Sequence, residues 1–133
     1  MKDALSEIYS SFLKETVIEK ATLDGKKHHI YYYQEPDGAL PQTFILIRPY
    51  KPPESSISMS DKSAQQEITV QIDVQSTVRM ICKELQSKVE EVLKPLGYTR
   101  INGQGLDEYF DETKHYVDAR RYKLKTKLYE TGY

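Results

Sequence analysis

The chain has 133 residues, with 19 basic and 20 acidic side chains, eleven tyrosines, one cysteine and no tryptophan. This length fits one domain. The near-zero net charge gives no overall electrostatic field that would attract nucleic acid. One cysteine excludes an internal disulfide or a multi-cysteine zinc site. The longest apolar run, at 44–47, is far shorter than the roughly 20 residues that span a bilayer. Residues 1–7 are polar and acidic, unlike a secretory signal, so we expect a soluble chain made in a reducing cytoplasm.

The apolar share of the chain is low. Counted with glycine and without tyrosine, apolar residues make up about 35% of the sequence, against a usual value of about 45–50%. The shortfall predicts long polar loops or faces that a partner completes. Tyrosine is enriched at protein interfaces, so its abundance favours assembly with other proteins.

The N-terminal part of the chain predicts a helix and two strands. Residues 3–14 place their apolar side chains on one stripe of an amphipathic helix. Asp24-Gly25 indicates a turn, after which the aromatic and β-branched segment 28–33 predicts a strand that ends at a second turn, 35–38. Residues 43–48 are apolar without alternation, which is typical of a strand covered on both faces.

The middle of the chain predicts a loop, a strand and a helix. Residues 49–64 hold three prolines and five serines, which predicts a long mobile loop. Apolar and polar residues alternate strictly over 68–74, the clearest strand in the sequence. Ser76 or Thr77 is then expected to cap a helix with apolar residues at helical spacing as far as Leu93, which Pro95 and Gly97 end. Proline and glycine are common just beyond a helix.

The last third of the chain is less regular. Residues 98–101 predict a short strand, 102–105 a flexible turn, and 107–112 an acidic turn with four acids around two aromatics. A long strand follows over about 115–129. Its apolar residues change from odd to even positions part-way, so we expect a bulge near Arg120-Arg121.

The order of these elements predicts an α+β fold. We expect a mainly antiparallel sheet of about four to five strands with two helices packed on one face. The whole chain, 1–133, forms one domain in this interpretation, with the mobile loop at about 49–65.

The sequence does not favour catalysis or metal binding. His28 and His29 are neighbours on a predicted strand and point to opposite faces, so they cannot share one metal ion. The acids of 107–112 are not accompanied by a phosphate-binding loop or by a nucleophile paired with a base. Cys82 lies on the apolar stripe of the second helix, where cysteine acts as a small hydrophobe. We therefore expect no enzyme, no cofactor and no metal.

The C-terminal strand is strongly basic. Residues 114–127 contain six basic residues and one acid, and Arg121, Lys123, Lys125 and Lys127 share one face. This row is typical of a solvated face or of an edge strand that lysines protect from pairing. Alternatively, together with Tyr31-Tyr32-Tyr33, it forms a nucleic-acid-binding surface in a small α+β module. A third interpretation pairs the row with the acids of 107–112 in head-to-tail contacts of a ring, which the net charge of −1 favours.

Four stretches of the sequence resemble the tail terminator, or tail completion, proteins of long-tailed bacteriophages. They are an N-terminal helix, Tyr31-Tyr32-Tyr33 leading through Pro41 to the strand 44–47, the strand 67–74 running into the helix 76–94 and Pro95-Leu96-Gly97-Tyr98, and the acidic-aromatic segment 107–116 leading into the basic strand 120–129. Residues 17–27 and 49–64 contain no sequence pattern typical of that family. The resemblance leaves open whether the chain is the terminator or a neighbouring head–tail joining protein.

The resemblance implies a structural virion protein made in a bacterial host and located at the head-proximal end of the tail. It implies a ring, hexameric in this family, that ends polymerisation of the tail tube and docks the filled head. The implied partners are other copies of the chain, the tail tube protein, the head connector and passing DNA, with no membrane. The expected contact residues are Asp107, Glu108, Asp111, Glu112, Arg120, Arg121, Lys123, Lys125, Lys127, Tyr50, Lys51, Asp61 and Lys62.

Overall fold

A computed structural model describes residues 2–56, 65–127 and 131–132. Its main elements are helices α1 (Ala4–Lys14), α2 (Thr16–Thr22) and α3 (Arg79–Leu93), and strands β1 (Ile30–Tyr32), β2 (Thr43–Ser56), β3 (Gln65–Ser76), β4 (Thr99–Phe110) and β5 (His115–Lys127). Two short ladders pair Leu23–Asp24 with Lys27–His28 and Lys2–Asp3 with Thr131–Gly132, and a 3-10 turn covers Lys94–Leu96. No helix of the described part is long and apolar enough to cross a membrane.

The five strands β1 to β5 form one sheet in the order β1-β2-β3-β5-β4. Only the β1–β2 pairing is parallel; the other three pairings are antiparallel. The predicted α+β class and the mainly antiparallel sheet are confirmed.

The three helices pack against one face of the sheet. The core side chains on that face come from alternate positions of β2, β3 and β5, because successive residues of a strand point to opposite faces. Ile47 lies opposite Ile72, and Val70 lies opposite Tyr122. The helices add to this cluster Ala4, Leu5, Ile8, Phe12, Ile18, Cys82, Leu85, Val89 and Leu93. The predicted helices account for α1 and α3, whereas the sequence pattern does not predict α2.

The opposite face, called here the helix-distal face, is also partly buried. It carries the other set of alternate residues, namely Phe44, Leu46 and Arg48 of β2, Gln71, Asp73 and Gln75 of β3, and Val117, Ala119 and Arg121 of β5. Phe44 and Leu46 are at most 1% exposed, which confirms that β2 is covered on both faces. Asp73 and Gln75 are buried as well, although they belong to the polar side of the alternating strand.

The expected bulge near Arg120-Arg121 is not in β5 itself, although the register of the neighbouring strand β4 shifts opposite these residues, between Tyr122 and Arg120. The register between β3 and β5 is unbroken from Gln65↔Lys127 to Ser76↔Tyr116. The apolar residues change position because both faces of β5 are buried in part: Ala119 packs on the helix-distal face and Tyr122 on the helix face. The irregularity lies in the neighbouring strand β4, whose register shifts between Arg100 and Gly105.

Strand β4 is longer than the sequence predicts. The expected flexible turn at 102–105 is an irregular part of this strand, and the expected acidic turn at 107–112 is strand as far as Phe110. The hairpin turn between β4 and β5 covers residues 111–114, where Lys114 has a φ of 60°. Pairing with β5 extends the strand because backbone hydrogen bonds to a long neighbour offset the low strand propensity of Asn, Gly and Asp.

Strand β2 also runs further than expected. Residues 49–56, which the sequence predicts as part of a mobile loop, pair with β3, and the register shifts between Pro49 and Lys51 and again between Lys51 and Glu54. Irregular pairing accommodates prolines, which have no N–H to donate. Residues 57–64 of the expected loop lie outside the described residues.

Local signals set the helix ends. Asp3 caps α1 by accepting from the Leu5 N–H at 3.1 Å, as capping aspartates do. The expected cap of α3 at Ser76 or Thr77 is wrong: the N-cap position is Val78, which makes no side-chain cap hydrogen bond, and α3 begins at Arg79. Ser76 Oγ accepts from the Val78 N–H at 3.1 Å in the turn before the helix. Gly97 follows the 3-10 turn with a left-handed φ of 100°, which confirms the expected stop.

Candidate interaction surfaces

The two charged blocks lie at opposite ends of the β4–β5 hairpin. The acids of 107–112 are at its turn, since Phe110 pairs with His115 and Glu108 with Val117. The basic row of β5 begins at Arg121 and runs away from the turn. Eight residues separate Val117 from Lys125, which corresponds to about 26 Å along a strand. The hairpin is therefore negative at one end and positive at the other.

On the helix face, the acid Asp107 is neutralised within the chain. Lys83 of α3 contacts the carboxylate of Asp107 at 2.5 Å and that of the buried Asp118 at 2.7 Å. Arg120 also contacts Asp118, at 3.1 Å. Partial burial lowers the pKa of the Lys83 ammonium, but hydrogen bonds and charge from both carboxylates outweigh it and raise that pKa. These contacts hold α3 against the hairpin. Asp107 and Arg120 are therefore already in ion pairs within the chain.

Of the other three acids in 107–112, Asp111 is in an ion pair, whereas the described residues show no ion pair for Glu108 and Glu112. Asp111 is paired with Lys114 at 2.8 Å, an exposed i,i+3 contact. Glu108 and Glu112 are exposed, and within residues 2–56, 65–127 and 131–132 no ion pair reaches either of them. Glu108 alternates with Leu106 and Phe110 along β4, so it belongs to the helix-distal side of the strand.

The basic row shares the helix-distal face, as predicted. Arg121, Lys123 and Lys125 occupy alternate positions of a strand with unbroken register. Arg121 donates to Gln71 at 2.9 Å and to Gln104 at 3.3 Å. Lys123 is half-buried and Lys125 exposed, and the described residues show no ion pair for either lysine. Lys127 occupies the next alternate position of β5, as the backbone register shows.

The ring of Tyr50 joins this row from β2. The guanidinium of Arg121 lies 3.7 Å from the centroid of the Tyr50 ring, and 43% of Tyr50 is exposed. Lys51, the next residue, is half-buried and lies opposite Thr69. Tyr50 and Lys51 therefore lie beside the basic row, while Asp61 and Lys62 fall outside the described residues.

A half-open hollow of about 270 Å³ lies on the helix-distal face beside the turn of the β4–β5 hairpin. Leu106, Phe110, Val117 and Ala119 form its apolar wall. Its polar residues include Glu35 and Glu112, with Asp73 paired to Arg48. Glu35 accepts from Gln75 at 2.9 Å. Three carboxylates and one guanidinium make the hollow acidic, so it extends the negative end of the face.

His115 fixes the hairpin turn to the loop before β2. The ring is 4% exposed; its Nδ1 lies 2.7 Å from the Thr113 carbonyl and its Nε2 lies 2.8 Å from the Pro41 carbonyl. The sequence pattern predicts no structural contact for this histidine. The sequence shows only that His115 lies between the acids of 107–112 and a predicted strand. Its contact with Pro41 could not be predicted, because the two residues are distant in the chain.

The aromatic part of the nucleic-acid interpretation is not assembled. Tyr31 lies opposite Leu46, and the same row of paired residues continues across the sheet through Asp73 to Ala119. Tyr31 is therefore three strands away from β5, at a level four residues before Lys123. Tyr32 contacts Tyr9 of α1 instead.

The other polar side chains considered in the sequence have structural contacts. His28 contacts Glu19, and His29 contacts Asp24 and Tyr31. Burial raises the pKa of the Cys82 thiol to about 11, in agreement with its place on the apolar stripe. Among the residues that the structure describes, no group of three His, Cys, Asp or Glu side chains could hold a metal ion.

Comparison with known proteins identifies a shared fold. No family model matches the chain, and no curated protein matches it. Among solved structures, it is similar to a chain from the "virion of native gene transfer agent (GTA) particle" with a TM-score of 0.61. The match covers 90% of this chain and 91% of the other at 11% sequence identity. This chain therefore has the fold of a protein found in a gene transfer agent virion.

Proposed function

We propose that this protein is a structural component of a phage-like virion, and that it is the tail terminator. In this role, copies of the single-domain chain form a ring, hexameric in the family it resembles, at the head-proximal end of the tail tube. The ring ends tube polymerisation and presents the surface that docks the head connector. The work is done by binding, and no catalytic step is required.

The shared fold is the observation that carries the proposal. A chain from a gene transfer agent particle matches almost the full length of this protein. The four stretches that resemble tail terminator proteins add independent support, since they include the acidic-aromatic segment and the basic strand that meet in one hairpin. Fold alone does not imply function, so the surfaces must supply the rest.

The charged ends of the β4–β5 hairpin are the proposed contact surfaces. At one end, Glu108 and Glu112 offer carboxylates that have no ion pair among the residues that the structure describes, and at the other end Lys123 and Lys125 offer cations. Opposite charges at opposite ends suit contacts between neighbours and between stacked rings, and they steer association.

A capping experiment tests this function. The chain is mixed with the tail tube protein from the same virion, and the particles are examined by electron microscopy. We expect rings at one end of the tubes and tubes that stop growing. The Lys123→Glu/Lys125→Glu variant should cap less well, whereas Lys26→Glu/Lys94→Glu, which changes two exposed lysines outside the sheet, should cap normally. Tubes that grow equally with and without the chain would contradict the proposal.

The second candidate is a nucleic-acid-binding module. It is favoured by one observation, the row of Arg121, Lys123 and Lys125 with an aromatic ring, Tyr50, beside it. Cations and stacked aromatics bind single strands without reading sequence. A salt-sensitive mobility shift with DNA or RNA that Lys123→Glu/Lys125→Glu abolishes would support this function. The absence of a shift at low salt would eliminate it.

A further inference from the structure

We infer that two free copies of this chain pack their helix-distal faces together about a two-fold axis, with the two β5 strands antiparallel. In this pair, the acidic end of each face covers the basic end of the other. The occupant of the face is thus a second copy of the same chain. This inference concerns the free protein, and it stands independently of the proposed tail function.

Both charged ends lie on the helix-distal face. The acidic end has the exposed carboxylates of Glu108, Glu112 and Glu35, and the last two belong to the acidic hollow. The basic end has Lys123 and Lys125, on the same side of β5. A face with opposite charges at its two ends is complementary to itself after a rotation of 180°, as an isologous contact requires.

The spacing of the charges along the hairpin fits a two-fold axis. Glu108 lies at the level of Val117, and Lys123 lies six residues further along β5. A two-fold axis near Arg120, midway between them, places Lys123 of one copy over Glu108 of the other. The same rotation places Lys125 over the level of His115, next to the turn that contains Glu112. Both cations therefore meet carboxylates that have no ion pair within the described part of the chain.

Apolar and aromatic side chains are exposed on the same face. Leu106 and Tyr50 are exposed by 39% and 43%, and Leu106 belongs to the apolar wall of the hollow. Tyrosine and arginine are enriched at the centres of interfaces, and Arg121 lies directly over Tyr50. The hollow of about 270 Å³ can receive a long side chain with a cationic head, because its carboxylates exceed its single guanidinium.

Pairing of this kind covers the charged ends that the chain would otherwise offer to neighbours. The free pair and any higher assembly would compete for Glu108, Glu112, Lys123 and Lys125. Assembly on a larger partner would then begin with separation of the pair.

Sedimentation equilibrium of the purified full chain tests the inference. We expect a monomer–dimer equilibrium at low salt that weakens in 0.5 M NaCl, because exposed ion pairs are screened. Lys123→Glu/Lys125→Glu and Glu108→Lys/Glu112→Lys should each weaken the dimer at least tenfold. Lys26→Glu/Lys94→Glu should leave its dissociation constant unchanged.

Two further measurements identify the two-fold arrangement. An equimolar mixture of the two charge-reversed variants should dimerise, because each acidic end again meets a basic end. The variant with all four substitutions should also regain the dimer. Circular dichroism of each variant checks that the fold is retained.

Three outcomes would overturn the inference: a wild-type chain that stays monomeric at several hundred micromolar, a closed assembly larger than a dimer, or reversed variants that do not complement each other. None of these measurements uses tail tubes, so their failure is distinct from a failure to cap tubes.

Discussion

Arg121 of β5 and Tyr50 of β2 are in direct contact across the intervening strand β3, with the guanidinium 3.7 Å from the centroid of the tyrosine ring. The contact ties the irregular end of β2 to the basic row. Tyr50→Ala and Arg121→Ala should each lower the free energy of unfolding, with a coupling of about 0.5–1 kcal/mol in a double-mutant cycle measured by urea denaturation. Tyr50→Phe keeps the ring and should keep most of the coupling. Strict additivity of the two alanine variants would contradict a stabilising stack.

Asp118 and Asp107 share Lys83 but differ in burial. The Asp118 side chain is 4% exposed and the Asp107 side chain 68% exposed. Asp118→Asn should destabilise the chain by about 2–4 kcal/mol, since Lys83 and Arg120 would lose a buried counter-charge. Asp107→Asn should cost at most about 0.5 kcal/mol, as exposed pairs do. Equal losses in urea denaturation would show that burial does not decide the value of these pairs.

Gly105 and Gly103 test the irregular part of β4. Gly105 has a φ of 130°, and a Cβ there would lie 2.1 Å from the Ala119 carbonyl oxygen. Gly103 has a φ of 78° with no atom within 4 Å of its Cβ position. We expect Gly105→Ala to lower the free energy of unfolding by about 2–4 kcal/mol, which is seen as a sharp fall in melting temperature. Gly103→Ala should lower the free energy of unfolding by about 1 kcal/mol. A Gly105→Ala variant as stable as Gly103→Ala would contradict this path of the backbone.

Tyr122 makes stability depend on pH in the alkaline range. Burial raises the pKa of its hydroxyl to about 12 from 10.0, and the hydroxyl donates to Gln86 at 3.2 Å. Because the folded state favours the neutral phenol, this contribution is complete below pH 10 and is lost as the pH rises through 12. The free energy of unfolding should therefore fall by about 2–3 kcal/mol more between pH 9 and pH 12 in the wild type than in Tyr122→Phe. Parallel pH profiles for the two chains would disprove the burial effect.

The thiol of Cys82 should be unreactive in the folded chain. It is 1% exposed, and burial raises its pKa to about 11, so almost no thiolate is present near neutral pH. Labelling with a thiol reagent at pH 8 should be at least a hundredfold slower than in urea. Rapid labelling under native conditions would indicate that α3 separates readily from the sheet.

The local patterns of the chain were sufficient for the elements that carry a regular period. The stripe of α1, the alternation of β3 and the stop at Pro95 and Gly97 are each set by residues close together in the sequence. The length of β4 could not be obtained in this way, because Asn102, Gly103 and Gly105 are weak strand formers that depend on pairing with β5. The same applies to residues 49–56, whose prolines lie in a strand because β3 runs alongside.

For the interaction surfaces, the sequence by itself determined the charges and their order along the chain. It fixed four acids followed by a basic row with alternate positions on one face, because the period of a strand is two. The tertiary structure alone decided which of those charges are available. Lys83, brought in by a helix, neutralises Asp107, whereas Glu108 and Glu112 share a face with Lys123 and Lys125. The Lys83–Asp107 pair joins residues far apart in the chain, and only the packing of α3 on the sheet brings them within the reach of an ion pair.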